Sequence, residues 1–176
     1  MKWFKKTEFI RCYRQEKQQR CKECRLPKAA SRMPNGIEEN IVALVEEVLD
    51  PIREAFGNPI VVNSGFRCPL HNQAVGGAFQ SQHVSGQAAD ICAERGKYGS
   101  TEEWKQANLE LARVIVKNGK WDQIILENTG ANDLKPAWIH VSWKKNGGNR
   151  HEILKKIAGR NGYIRVDSGK FIVESL

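Results

Sequence analysis

The chain contains no apolar run long enough to cross a bilayer. Its first residues, Met1-Lys2-Trp3-Phe4-Lys5-Lys6-Thr7-Glu8, lack the apolar stretch of a secretory signal, so a soluble product made in the cytoplasm is expected. Cysteine is sparse and odd in number, five in 176 residues, whereas a secreted disulfide framework would use an even set. Reduced thiols are the expectation. Internal repeats and low-complexity stretches are absent. Charge of one sign dominates: the formal balance is +8 and the isoelectric point about 9.4. Such a surface favours anionic partners, whether nucleic acid, membrane or a polyanionic cell wall. Yet no run of five consecutive Lys or Arg occurs, and aromatics are not interleaved with basic residues as on a single-strand binding surface. The charge therefore reads as general affinity, and a nucleic-acid-binding protein is a third, weaker reading that only the net charge supports.

The length fits one domain with a usable core. Residues 1–36 read as an N-terminal segment with a cysteine-containing insert, and 37–176 as the main domain. In the insert, Cys12, Cys21 and Cys24 offer a CxxC and one further thiol without a fourth ligand at knuckle spacing, so they read as free thiols in a polar segment. Leu26 to Gly36 reads as a linker. Thr7 to Ile10 suggests a short helix. Ile41, Leu44, Val45, Val48, Leu49 and Ile52 recur at helical spacing across Glu38–Phe56, with Pro51 expected to kink that helix or start a second segment. Ile60–Asn63 reads as a strand, His71–Val75 as a brief helical turn, and Thr101–Asn118 as a helix capped by Thr101 or Ser100. Trp121–Glu127 and Trp138–Trp143 read as strands, Glu152–Ala158 as a helix, and Tyr163–Val173 as a tail able to add a hairpin. The sum is an α+β domain with a small, largely antiparallel sheet and helices on one side.

The stretch that carries chemistry is Ser81-Gln82-His83-Val84-Ser85-Gly86-Gln87-Ala88-Ala89-Asp90. His83 and Asp90 flank small residues, and a carboxylate in so apolar a run needs a cation, strong hydrogen bonds or a metal. Alone, this pair also fits a turn histidine and a strand-initiating aspartate. The alternating strand Trp138-Ile139-His140-Val141-Ser142-Trp143 changes the balance, because Trp138, His140 and Ser142 share one face. Set beside the Asp90 strand, His140 reaches the point that His83 and Asp90 face. Three such ligands with an open fourth position is the pattern of a catalytic zinc.

Taken in order, Ser64-Gly65-Phe66-Arg67, Val75-Gly76-Gly77, Ser81-x-His83-x-x-Gly86-x-Ala88-x-Asp90 and Trp138-Ile139-His140-Val141-Ser142 resemble the zinc D-alanyl-D-alanine carboxypeptidase family. Phage endolysins and the hedgehog signalling domain share its metal-site fold. The resemblance runs from about Phe9 to Phe171, apart from the insert. It implies His83, Asp90 and His140 as zinc ligands, and a hydrolase acting on stem or cross-link peptides of bacterial peptidoglycan, as carboxypeptidase or endopeptidase.

Amide hydrolysis at such a site needs a general base. Many members carry an acid three positions before the last histidine, where this chain has Ala137. Glu127, closing the preceding strand, is the candidate that the resemblance offers, with Asp133 on the following loop as fallback. Arg67 is expected to clamp a substrate carboxylate or a developing oxyanion, and Ser81 to bind substrate or to orient His83. His71 and His151 lack ligand spacing, with His71 a candidate for the rim. A monomer is expected, synthesised without a signal peptide and released to the cell wall through a separate pore, as for a phage or prophage lysis enzyme. The rival expectation, kept open by Ala137, is a catalytically silent zinc-containing domain that recognises a partner.

Overall fold

One sheet is built from β1 (Ile60–Ser64), β2 (Ala88–Ala93), β3 (Gln123–Thr129), β4 (Trp138–Ser142), β5 (Glu152–Ile157) and β6 (Ile164–Arg165). Their order across the sheet is β1-β2-β4-β3-β5-β6, and every neighbouring pair is antiparallel except β3 and β5. The structure is a computed structural model that describes residues 1–10 and 36–173. Cys12, Cys21, Cys24 and the linker before Gly36 lie outside the described residues. The helices are α1 (Lys6–Phe9), α2 (Ile37–Leu44), α3 (Asp50–Phe56), α4 (Pro69–Ala74), α5 (Thr101–Asn118) and α6 (Ser168–Val173).

Strand alternation divides the sheet into two faces. Ala89 and Ile91, Ile124 and Leu126, Ile139 and Val141, and Ile153 are buried on one of them. They meet Ile41, Leu44, Val45, Val48, Leu49 and Ile52 from the α2–α3 run and Leu111, Ala112 and Ile115 from α5 in a single core. Phe4 and Phe9 of the N-terminal segment join that core, and the Asp50 carboxylate accepts the backbone N–H groups of Lys2 and Trp3. The opposite face carries the polar residues of the site. This is the α+β architecture expected from the pattern of elements.

Two local departures have physical causes. The expected break at Pro51 takes the form of a π turn, Val45–Leu49, between α2 and α3, where the Asp50 N–H reaches back to the Val45 carbonyl. Proline lacks a donor and crowds the preceding turn, and the wider turn accommodates both without ending the helical run. The segment expected as a helix over Glu152–Ala158 is instead strand β5. Its residues favour helices locally, but pairing with β3 puts Ile153 beside Ile124 in the core, and that burial outweighs local propensity. β6 then pairs with β5, so the tail does add a short antiparallel ladder.

The crossover from β4 to β5 is anchored at Asp122, whose side chain is fully buried. Its carboxylate accepts the Arg150 backbone N–H at 2.8 Å and Arg150 Nε at 3.0 Å. On the core side, Asn108 of α5 accepts the Ala93 N–H at 2.8 Å and donates to the carbonyls of Pro136 and Ala137 at 3.1 Å each. That one buried amide ties the end of β2 to the loop leading into β4.

Candidate metal centre and cleft

Register sets the site. Ser64 of β1 lies opposite Asp90 of β2, Asp90 opposite His140 of β4, and His140 opposite Ile125 of β3. Asp90 and His140 therefore stand side by side on the polar face, both buried. His83 descends from the turn before β2. Gly86 closes that turn in the left-handed region (φ 71°), and a Cβ there would lie 2.8 Å from the Ile37 carbonyl oxygen, so the turn packs against α2 only with glycine.

Three atoms converge. His83 Nε2 lies 3.1 Å from Asp90 Oδ1 and 3.0 Å from His140 Nδ1, and His140 Nδ1 lies 3.2 Å from Asp90 Oδ1. His83 Nδ1 contacts the Gly65 carbonyl oxygen at 2.7 Å. A carbonyl can only accept, so Nδ1 carries the proton and a neutral His83 turns the lone pair of Nε2 toward the other two groups. At most one proton, on His140 Nδ1, is then available for three close contacts. A bound cation satisfies all three donors together, and the set of two imidazoles and a carboxylate suits zinc.

Ionisation fits the same reading. Burial opposes charge on Asp90, but the two imidazoles beside it outweigh that and hold its carboxyl far below the usual range. Burial pushes His140 down from its ordinary value, with the Asp90 contact opposing and His83 and Arg67 adding to the shift. Near neutral pH the pair thus stands as carboxylate and neutral imidazole, the states in which both ligate metals.

The donors lie in a cleft of about 720 Å³ whose walls include Arg67, Ser81, Glu127 and Lys156. The family model described as Peptidase M15 matches residues 4–121. The chain belongs to the peptidase M15 family. The matched span includes His83 and Asp90 and ends before Glu127 and His140, which the strand pairing brings to the same place. The fold of an L-Ala D-Glu endopeptidase, ChiX, from Serratia marcescens is similar at a TM-score of 0.39 and 19% identity, covering 65% of this chain and 91% of that one. No curated protein matches the chain.

In this M15 member Glu127 lies inside β3, not at its end, and pairs with Trp138. The pairing of β3 with β5 shifts by one residue between Leu126 and Thr129, a bulge in which Asn128 adopts φ 60°. Bulges of this kind re-aim side chains, and Glu127 lines the cleft. Burial pushes its carboxyl above the ordinary value; Lys156 opposes the shift, Asp90 reinforces it, and His140 and Arg67 oppose it. Asp133 is committed elsewhere, its carboxylate accepting the N–H groups of Gly130 and Lys135 on an exposed loop. Ala137 is buried and leaves its position without an acid.

Arg67, expected as a substrate clamp, lines the cleft, and its side chain also has partners within the protein. Its Nη2 donates to Asp90 Oδ2 and its Nε to Ser64 Oγ at 2.8 Å, so the guanidinium braces the carboxylate whose other oxygen faces the histidines. Orientation of His83, expected from Ser81, comes from the Gly65 carbonyl; Ser81 lines the cleft. His71 is buried on α4 and is not among the cleft residues, and His151 packs edge-on against Trp121 at 4.8 Å. The Gly65 carbonyl went unforeseen because a backbone acceptor leaves no mark in the residue pattern.

Proposed function

We propose that this protein is a zinc-dependent peptidase that hydrolyses peptide bonds of bacterial peptidoglycan, with His83, Asp90 and His140 as ligands and Glu127 as general base. The observation that carries the reading is the convergence of three donor atoms within 3.0–3.2 Å of one another at the floor of a cleft that Glu127 also lines. Membership of a peptidase family supports the reaction class, and the motif resemblance supports the wall peptide as substrate.

Zinc held by such a set supplies Lewis-acid chemistry, polarising a carbonyl and acidifying water. The chain's own residues then divide the work. The Gly65 carbonyl holds His83 in the tautomer that presents Nε2. Arg67 and Ser64 keep Asp90 in place. Glu127, its proton affinity raised by burial, takes a proton from the attacking water and returns it to the leaving nitrogen. With that carboxylate in the cleft, the missing acid at Ala137 no longer favours a catalytically silent domain. Action at the cell wall, reached through a separate pore, completes the reading, and the formal charge of +8 suits a polyanionic wall.

Incubation with purified peptidoglycan, with and without chelator, followed by mass analysis of the soluble products, tests this. Loss of terminal D-alanine identifies a carboxypeptidase and internal fragments an endopeptidase. Intact peptides in both arms, from protein holding zinc, would remove the enzymatic reading.

A further inference from the structure

The cleft is lined by four basic side chains, Arg67, Lys144, Arg150 and Lys156, and their charges are not equally available. Arg67 is paired with Asp90. Arg150 binds the buried Asp122 carboxylate at 2.5 Å and reaches Glu152 at 3.9 Å. Lys144 donates to the Gly148 carbonyl at 2.6 Å and lies 3.3 Å from Asp122. Lys156 alone of the four has no ion pair among the described residues; its ammonium sits 5.6 Å from the centre of the Tyr163 ring.

Its position is as informative as its freedom. Leu126 pairs with Lys155 and Thr129 with Ile157, so the bulged Glu127-Asn128 step stands opposite Lys156. Lys156 and Glu127 both line the cleft, and the charge of the lysine is felt at Glu127. A half-buried lysine lining a peptidase cleft, its ammonium over an aromatic face and in no ion pair among the described residues, is a receptor for an anion supplied by substrate.

We propose that Lys156, supported by Tyr163, is the specificity residue that binds a free carboxylate of the peptide substrate. The proposal rests on the peptidase reading above and assigns its substrate class: peptides bearing an unamidated carboxylate near the scissile bond. Wall stem peptides offer two sources of that chemistry, the α-carboxylate of a γ-linked D-glutamate and the C-terminal carboxylate.

The test uses the peptide L-Ala-γ-D-Glu-L-Lys-D-Ala-D-Ala in three forms: both carboxylates free, the glutamate carboxylate amidated, or the C-terminus amidated. Each is titrated calorimetrically into zinc-loaded Glu127→Gln protein, which does not consume it, and cleavage is followed separately with Glu127 intact. One amidated form should bind about tenfold more weakly than the free acid, a ratio in keeping with one charged hydrogen bond in a partly solvated site. Lys156→Met should bring that ratio close to one, whereas Lys156→Arg should keep it. The form that loses affinity identifies which carboxylate is held. Equal affinity of all three forms, or an unchanged ratio in Lys156→Met, overturns the proposal even if the peptide is cut. Carboxylate-dependent binding without cleavage by the Glu127 protein upholds Lys156 and removes the peptidase reading. Peptides neither bound nor cut overturn both.

Discussion

His83 Nδ1 donates to the carbonyl oxygen of Gly65 at 2.7 Å, joining the turn before β2 to the loop after β1. Gly65 can offer that carbonyl because its own α-carbon lies against the chain at Phe9: a Cβ there would sit 2.5 Å from Phe9 Cα and from the Phe9 carbonyl oxygen. The N-terminal segment, Gly65 and the first ligand are thus one contact chain. Gly65→Ala should push the loop away from Phe9 and lower both the thermal midpoint and zinc affinity, the latter by about tenfold or more, as for other groups that orient metal ligands. Zinc competition with a chromophoric chelator measures it. Unchanged affinity in a folded variant would show that His83 needs no such support.

Metal content tests the ligand set directly. About one zinc per chain is expected, with most of it lost in His140→Ala while the far-ultraviolet circular dichroism stays near that of the parent. Core packing comes from Ile139 and Val141 on the opposite face of β4, so removing the imidazole spares the fold. Elemental analysis after gel filtration is the readout. Full retention of zinc by His140→Ala would exclude that residue as a ligand.

The metal-free protein should be acid-labile in a defined window. His140 has a folded-state pKa below its ordinary 6.5 because of burial, and Asp90 one below its ordinary 3.8 because the imidazoles outweigh burial. At both groups the folded state binds fewer protons than the unfolded state. Stability from His140 is complete above 6.5 and is lost as pH falls from there toward its folded pKa; Asp90 adds a second loss below 3.8. In chelator, the urea midpoint should therefore fall between about pH 7 and about pH 5, and His140→Gln should flatten that decline. A midpoint rising on acidification over this interval contradicts the assignment.

How much of this could be read beforehand depended on whether the signal was local. The alternation of Trp138–Trp143 placed His140 on the polar face, and small residues around Asp90 marked a poorly solvated carboxylate; both survive folding because strand faces follow from period alone. The helix at Thr101–Asn118 was equally legible, with Ser100 as its cap. β5 was not, since its residues suit a helix until β3, whose Ile124 lies 29 residues before its partner Ile153, buries that side chain. The commitment of Arg67 to Asp90 and Ser64 was also hidden: a guanidinium beside a site suits a ligand carboxylate as well as a substrate one. Asn108 gave no warning either, because its three partners come from a strand end and one distant loop.

Arg67 now has a role with a measurable signature. Because it bonds Asp90 through Nη2 and Ser64 through Nε, Arg67→Ala should lower kcat/KM by about 10–100-fold while zinc still binds when supplied in excess. Arg67→Lys should recover little, since one ammonium cannot span both acceptors in the planar geometry of the fork. Steady-state cleavage with parallel zinc analysis decides. A lysine variant as active as the parent would reduce Arg67 to a general positive charge.

Glu127 carries the last expectation, and rate and pH dependence test it together. The residue belongs to β3 with Ile125, which faces His140, and the bulge at Asn128 lies next to it. Glu127→Gln keeps the shape and the strand pairing but cannot accept a proton. Zinc should remain bound while hydrolysis falls by about 10²–10⁴-fold, the usual contribution of a positioned base. Burial raises the Glu127 pKa above its ordinary 4.5, the nearby Lys156 limiting the rise. A base works only when deprotonated, so kcat/KM should climb with pH, along an acid limb, through the Glu127 pKa, which bound zinc lowers relative to the metal-free protein. Lys156→Met removes the opposing charge, which moves the limb to higher pH. A Glu127→Gln enzyme with parental turnover would return the search for the base to the Asp133 loop, and an acid limb shifted downward by Lys156→Met would show that the lysine does not act on Glu127.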